Sequence, residues 1–334
     1  MIQNSQNLHT HTWLSDGKMT HRETLDVALA NGCSVVAFTD HDVLPNDETL
    51  AELESLRAHA CKWVMGIEIS TTDPHMIGLF VDPRNGALIE HTRVMKDTRI
   101  KKTENVASNL AKLGFEITAK EIIDLAGEGS VGKPHVVEVL MSKSKNVALL
   151  RTFIKKMEEA AKTDTDLARD YTEALEGSQR AGLGRFVYPI FLRKNSFAAG
   201  VYEDYDASPS IEQAATLIRN AGGVAVIAHW HTSKKTLPLE KLEQLLRDKV
   251  IDGVETVWGL SAYGTSGEDE MRADRRAVTE IVERTGALGT PSLDAHKRED
   301  YELFGRQTFF AKETVGMVEK LIATSGVSTK FSSL

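Results

Sequence analysis

The feature that most constrains this chain is an alternation. Short runs rich in Val, Ile and other strand formers are each followed by polar residues and then by a stretch whose apolar positions recur with the helical period. Strands that alternate with helices in this way build parallel sheets with helices laid against them. The strand candidates are 34–39, 63–70, 75–81, 223–228, 253–257 and 287–291. Helical spacing occupies 20–31, 48–60, 93–113, 119–126, 135–141, 211–220 and 271–284. The first of these opens on Thr20-x-x-Glu23, the pattern of a capping box, and stops before Gly32. A length of 334 residues suits one large α/β barrel as well as two average domains.

Two segments break the rhythm. Residues 142–185 are charged and helical with no strand signal, which reads either as amphipathic helices with a solvated face or as a cap over a site. Residues 186–206 carry Arg193, Lys194, Tyr202 and Tyr205 among small residues and read as a long loop suited to substrate contacts. The expected division is therefore a barrel from 1–141 and 186–334 with a helical insertion at 142–185.

Composition narrows the function classes. The net charge of -8 argues against the broad basic surface that stable duplex nucleic-acid binding needs, while leaving room for a local cationic site. No apolar run is long enough to span a membrane and the opening residues lack the form of a signal peptide, so the expectation is a cytoplasmic protein. Cys33 and Cys61, the only cysteines, read as reduced structural thiols.

The chemistry lies with histidines beside carboxylates at strand ends. In an extended segment His9 and His11 point to the same side and can grip one ion, and the turn signal Asp16-Gly17 can fold a carboxylate back toward them. An apolar strand runs into Asp40-His41-Asp42. Glu68 sits inside another, where an unpaired carboxylate would be costly and a cation would remove the penalty. His75 opens one strand, His229 ends one, and Asp294-Ala295-His296 follows the last. Six histidines and three carboxylates exceed the four ligands of a structural zinc and suit two or three divalent ions sharing a bridge, for which Glu68 is the candidate. Imidazole and carboxylate without thiolate favour manganese, with zinc or iron as alternatives. Such a site attracts an anionic, phosphorylated substrate. His21, His59 and His91 lie in helical text and read as surface residues.

In order, Asn7-Leu8-His9-Thr10-His11-Thr12, Ser15-Asp16-Gly17, Thr39-Asp40-His41, Gly66-Ile67-Glu68, Lys133-Pro134-His135, Ala228-His229-Trp230 and Asp294-Ala295-His296 resemble the PHP (polymerase and histidinol phosphatase) family of metal-dependent phosphoesterases. The resemblance runs over nearly the whole chain. The Glu68 to His75 spacing and the stretches ending in His135 and His229 look most similar to the nucleotide and 3',5'-bisphosphate phosphatase branch. The resemblance implies a distorted (β/α)7 TIM-like barrel with metal ligands at the C-terminal strand ends. It implies one ion on His9, His11, Glu68 and Asp294, a second on Glu68, His75 and His229, and a third on Asp16, His41 and His296. It implies attack of metal-activated hydroxide on phosphorus, with Glu68 and Asp294 central and His135 and His231 near the phosphate or leaving group. A 5'-3' exonuclease or a cyclic-phosphate phosphodiesterase of the same fold is the alternative.

The chain also departs from the family pattern. Asn7 replaces an aspartate, which weakens the expected orientation of a ligand, and Lys133 replaces an arginine, exchanging a bidentate phosphate clamp for a point charge. Trp230 and His231 stand where a proline is usual and read either as packing at the barrel rim or as a base-stacking surface with a proton donor. Arg193 and Lys194 are further candidates for phosphate contacts. An amidohydrolase barrel also begins with His-x-His, but it lacks the Asp16 and Asp40-His41 elements and needs a lysine inside a strand.

Overall fold

A computed structural model describes residues 4–72, 74–127, 129–202, 207–259, 267–305 and 307–334. The chain divides into two compact units, one comprising the residues up to Met95 with Ser208–Leu334, the other Lys96–Ala207.

The first unit contains one seven-stranded sheet in chain order: β1 (Ser5–Asn7), β2 (Cys33–Phe38), β3 (Lys62–Ile69), β4 (Met76–Leu79), β5 (Val224–Ile227), β6 (Gly253–Trp258) and β7 (Leu288–Ser292). Its edges approach each other, since the Leu8 amide donates to the Pro291 carbonyl at 2.9 Å and the His11 amide to Ala295 at 2.8 Å, so the sheet is a nearly closed barrel. Side chains alternate between two packed layers, as the two-residue period of strands requires. Val35, Ala37, Val64, Ile77, Val224 and Val226 pack with Leu8, Phe80 and Leu288, while Val36, Phe38, Met65, Ala225, Ile227 and Val254 join the larger core with the helices. With both faces covered, the strands read as continuous apolar runs.

The direction of β4 corrects the all-parallel expectation, because it pairs antiparallel with both β3 and β5. The cause is length: a parallel return needs a crossover of about a dozen residues or more, and only a short turn separates Ile69 from Met76.

Helices α1 (His21–Ala30) and α2 (Asp47–Ser55) precede β2 and β3. Thr20 and Glu23 cap α1 reciprocally, and Gly32 supplies the left-handed residue, φ 83°, that turns the chain into β2. Helix α3 (Gly86–Lys112) contributes residues to both units. The second unit then contains α4 (Ala119–Ala126), α5 (Lys133–Met141), α6 (Ser144–Ala161), α7 (Thr165–Ala181) and α8 (Val187–Phe191). Helices α9 (Ile211–Asn220), α10 (Leu239–Arg247) and α11 (Gly267–Thr285) precede β5, β6 and β7, and α12 (Arg298–Phe304), α13 (Thr308–Glu313) and α14 (Met317–Ser325) follow.

The second unit is wider than the 142–185 insertion expected from sequence. Its own core joins Leu110, Phe115, Ile122, Val136 and Leu140 to Leu150, Met157, Phe186, Ile190 and Phe191. Helical spacing at 93–141 looks the same whether the apolar face meets a barrel or other helices, so periodicity alone misplaces the boundary. The stretch 186–206 is not all loop either: it begins in helix α8, and Tyr205 and Asp206 lie outside the described residues.

Candidate metal centre

The candidate ligands of the barrel unit share one rim. His9 and His11 follow β1, His41 follows β2, Glu68 lies near the end of β3, His229 follows β5, and Asp294 and His296 follow β7. Because β4 runs the other way, His75 at its start reaches the same rim. Glu68 is the centre. Its Oε2 lies 3.3 Å from His9 Nε2, 3.2 Å from His11 Nε2 and 3.0 Å from His41 Nδ1, and its Oε1 lies 3.0 Å from His75 Nδ1 and 2.9 Å from His229 Nε2. Asp294 Oδ1 is 3.1 Å from His11 Nε2, and Asp16 Oδ1 is 3.3 Å from His296 Nε2.

Among the described residues, three donor sets have their ligand atoms within 4.8 Å of one another: His11, Asp16, His41 and His296; His9, His11 and Asp294; and His41, Glu68 and His75. These sets share His11 and His41, a more interlocked grouping than the one the resemblance implies, and His229 joins through its contact with Glu68. Two atoms show what the cluster lacks. Asp16 Oδ1 and His41 Nδ1 are buried and, although His296 Nε2 and Glu68 Oε2 lie 3.3 and 3.0 Å away, neither makes a well-aligned hydrogen bond, a condition that a cation relieves. Six imidazoles with three carboxylates fit borderline divalent ions.

The electrostatics agree. Burial disfavours protonated His9, but the carboxylates of Glu68, Asp294 and Glu255 outweigh it and raise its pKa well above the usual value. Burial likewise opposes protonation of His11, and Asp294, Glu68 and Asp16 push it up to about 10. His296, opposed by burial and by His11, is raised to about 9 by Asp294 and Asp16. Burial would raise the carboxyls of Asp16, Glu68 and Asp294, yet the surrounding imidazoles hold all three below the usual range. His41 goes the other way, lowered by burial and by the charge of His11.

Several residues outside the candidate ligand set build this rim. Asp40 Oδ1 accepts from the Thr12 amide at 2.7 Å and from Ser15 Oγ at 2.6 Å, tying down the turn that carries Asp16. Gly17 completes that turn, since a Cβ there would sit 2.4 Å from the His11 carbonyl oxygen. Asp300 Oδ2 accepts from the His296 and Lys297 amides. Glu255, buried in β6, contacts His9 and His229, and its signal was available: like Glu68, it is a glutamate inside an apolar strand.

Asn7 does more than the departure from the family pattern suggested. Its Nδ2 donates to Thr10 Oγ1 at 2.7 Å and Tyr301 Oη at 3.2 Å, and its Oδ1 accepts from the His9 and Leu293 amides. One amide thus joins the segments bearing His9 and Asp294.

Other expectations are corrected. Trp230 is 2% exposed and its Nε1 donates to the Leu237 carbonyl at 2.8 Å, so it packs in the core and offers no face for stacking. His231 instead stacks on Trp258, with centroids 5.2 Å apart, along a cavity of about 490 Å³ that His229, Asp294, His296 and Lys297 also line. Burial and the charge of His229 lower His231 to about 4, so near neutral pH the ring is a neutral imidazole. His21, His59 and His91 are not exposed: His21 is buried against Phe38, His59 faces Asp26, and His91 faces buried Asp42. In the second unit, Lys133 lies over the Tyr202 ring and His135 Nδ1 accepts from the Gly132 amide at 3.0 Å. Arg193 is ion-paired with Asp170 and, with Lys194 and Tyr202, lines a pocket of about 280 Å³.

Fold and rim together define a metal-binding α/β barrel. The chain belongs to the PHP domain family, which matches residues 7–226. It is similar to a 3',5'-nucleoside bisphosphate phosphatase of Chromobacterium violaceum, 29% identical over 113 residues that make up 32% of this chain and 39% of that one. It is similar also to the 5'-3' exoribonuclease Rnm of Salmonella typhimurium, 25% identical over 66% of this chain and 64% of that one. The chain thus spans less than two thirds of the length of these curated relatives. A candidate metal-dependent phosphoesterase from Bifidobacterium adolescentis shares the fold, with a TM-score of 0.63 and 20% identity over 96% of each chain. No helix among the described residues is long and apolar enough to cross a membrane.

Proposed function

We propose that this protein is a hydrolase of phosphate esters, dependent on divalent ions held by the rim, with a small nucleotide-like substrate such as a 3',5'-bisphosphate. One observation carries the reading: five imidazoles converge on the single carboxylate of Glu68, with Asp16, Asp294 and His296 alongside. The ions, when bound, activate water as the nucleophile and neutralise charge on the phosphoryl oxygens. The residues of the chain do the rest. Glu68, Asp294 and the histidines would hold the ions, and Asp294, His229 and His296 also line the cavity. The neutral His231 ring offers an N–H to a phosphate or leaving-group oxygen, and Lys297 adds a cation to the lining. A volume of about 490 Å³ lies within the range of small-molecule sites. Manganese is the first metal to supply, given imidazole and carboxylate donors without thiolate.

The likeness to Rnm over 66% of the chain favours a second reading, removal of nucleotides from the 5' end of short RNA. Both are tested by product release with manganese from mononucleotides, 3',5'-bisphosphates, cyclic phosphates and short RNAs. Release of phosphate from a bisphosphate, abolished by Asp294→Ala, is the expected result. Mononucleotides released from short RNA would select the second reading, and no turnover of any ester by the manganese-loaded protein would refute both.

A further inference from the structure

Glu255 belongs to none of the three donor sets, yet it is among the most enclosed polar groups of the barrel, 1% exposed. Its two oxygens do different jobs. Oε1 lies 2.7 Å from His9 Nδ1, and Oε2 accepts the backbone N–H of His229 at 2.6 Å. His9 and His229 are 220 residues apart in the sequence, and their rings are stacked 5.8 Å apart.

The contact with His9 decides a tautomer. With its N–H on Nδ1 and directed at Glu255, His9 presents the lone pair of Nε2, the atom that faces Glu68 Oε2 at 3.3 Å and Asp294 Oδ1 at 3.3 Å. The contact with His229 fixes a backbone. His229 adopts φ 29° and ψ 49°, a left-handed conformation uncommon for a residue with a side chain, and its ring reaches Glu68 from that position. Register explains how β6 delivers one side chain to both. The ladder with β7 is regular through Glu255 and Thr290 and then shifts before Val257 and Pro291, the kind of irregularity that re-aims a side chain at a barrel rim.

We infer that Glu255 is a positioning residue of the metal centre, which sets the ligand tautomer of His9 and holds the strained His229 backbone so that both rings present Nε2 toward Glu68. The inference rests on the metal-centre reading above. It also makes a chemical distinction. Two N–H donors meet two acceptor oxygens at Glu255. A glutamine offers one acceptor and an NH₂ that opposes the second donor, whereas leucine satisfies neither.

The test is manganese content and affinity of the full-length protein, measured by elemental analysis and by competition with a fluorescent chelator, for wild type, Glu255→Gln and Glu255→Leu. Thermal unfolding of each metal-free protein serves as the folding control. The expected result is a graded loss, about tenfold in affinity for glutamine and about a hundredfold for leucine, the scale typical of residues that orient metal ligands. The metal-free Glu255→Gln protein melts at a somewhat lower temperature than wild type but still in one cooperative transition, which shows that it folds. Wild-type affinity and stoichiometry in both variants would overturn the inference while leaving the metal centre standing. A wild-type protein that binds no manganese would overturn both. If Glu255→Leu fails to fold, Glu255→Gln alone decides, because it changes one acceptor and no volume.

Discussion

Loading the centre with manganese should expel protons, and the number follows from the metal-free side chains. A ligand imidazole must be neutral on the nitrogen it gives to a metal, so each protonated histidine in the cluster competes with the ion. His11, opposed by burial but raised to about 10 by Asp294, Glu68 and Asp16, sits three units above pH 7, which costs about 4 kcal/mol or a thousandfold in apparent affinity. His296, raised to about 9 against burial and the charge of His11, adds about a hundredfold. His9 is shifted in the same direction. Saturation at pH 7 should therefore release at least two protons per chain, with apparent affinity rising about a hundredfold per pH unit until His296 loses its proton. Calorimetric titration in buffers of different ionisation enthalpy counts those protons directly. Release of fewer than one proton at saturation would refute the reasoning, because the histidines would then already be neutral.

The same shifts govern the metal-free protein. The raised histidines contribute stability fully below their usual 6.5 and lose it as pH climbs to about 9 and 10. Glu68 and Asp294, held low, contribute above their usual 4.5 and 3.8 and lose that contribution in acid. His41 and His231, pulled down by burial, favour the folded protein as pH rises toward 6.5. With a chelator present, the melting temperature should peak near 6.5 and fall toward pH 10, and manganese should remove the alkaline fall.

Two further substitutions test how the rim is built. Asn7→Ala strips a partner from the buried amide of His9, at about 1–3 kcal/mol, and from the partly buried amide of Leu293; denaturant titration should show the loss together with weaker manganese binding, and unchanged values in both would refute the strut. Trp230→Ala should cost about 3–5 kcal/mol of stability as a large-to-small core change, while KM for a nucleotide substrate stays constant; a raised KM at unchanged stability would restore the stacking role.

Much of the centre was legible because its residues are out of place for any other purpose. Glu68 in an apolar strand and histidines two apart after β1 point to cations once they are read together with the other histidines and carboxylates at strand ends, and the rim brings them together. Helix α1 was legible for a local reason: its capping box and its glycine stop lie within a few residues of the atoms they satisfy. Glu255 carried the same signal as Glu68 and was passed over for want of a histidine neighbour in sequence; its partners, His9 and His229, are far away along the chain. Asn7 was judged by the residue it replaces, although its work depends on Tyr301 and Leu293 at the other end of the protein.

The sequence by itself marked strands β2 to β7, helices α1 to α5, α9 and α11 and the helical character of 142–185, together with a set of side chains whose company suits divalent ions and anions; β1, α8, α10 and α12 to α14 went unmarked. Those properties are carried by residue type and by periods of two and 3.6, which depend only on near neighbours. Tertiary structure alone decided that β4 runs antiparallel, that helices from Lys96 onward share a core with 142–185, and that Trp230 is buried while Trp258 lines the cavity. The physical reason is common to all three. A strand's direction, a helix's partner and an indole's exposure follow from which distant surfaces meet once loops close and apolar faces pack, and a local pattern states that a face is apolar without saying what will cover it.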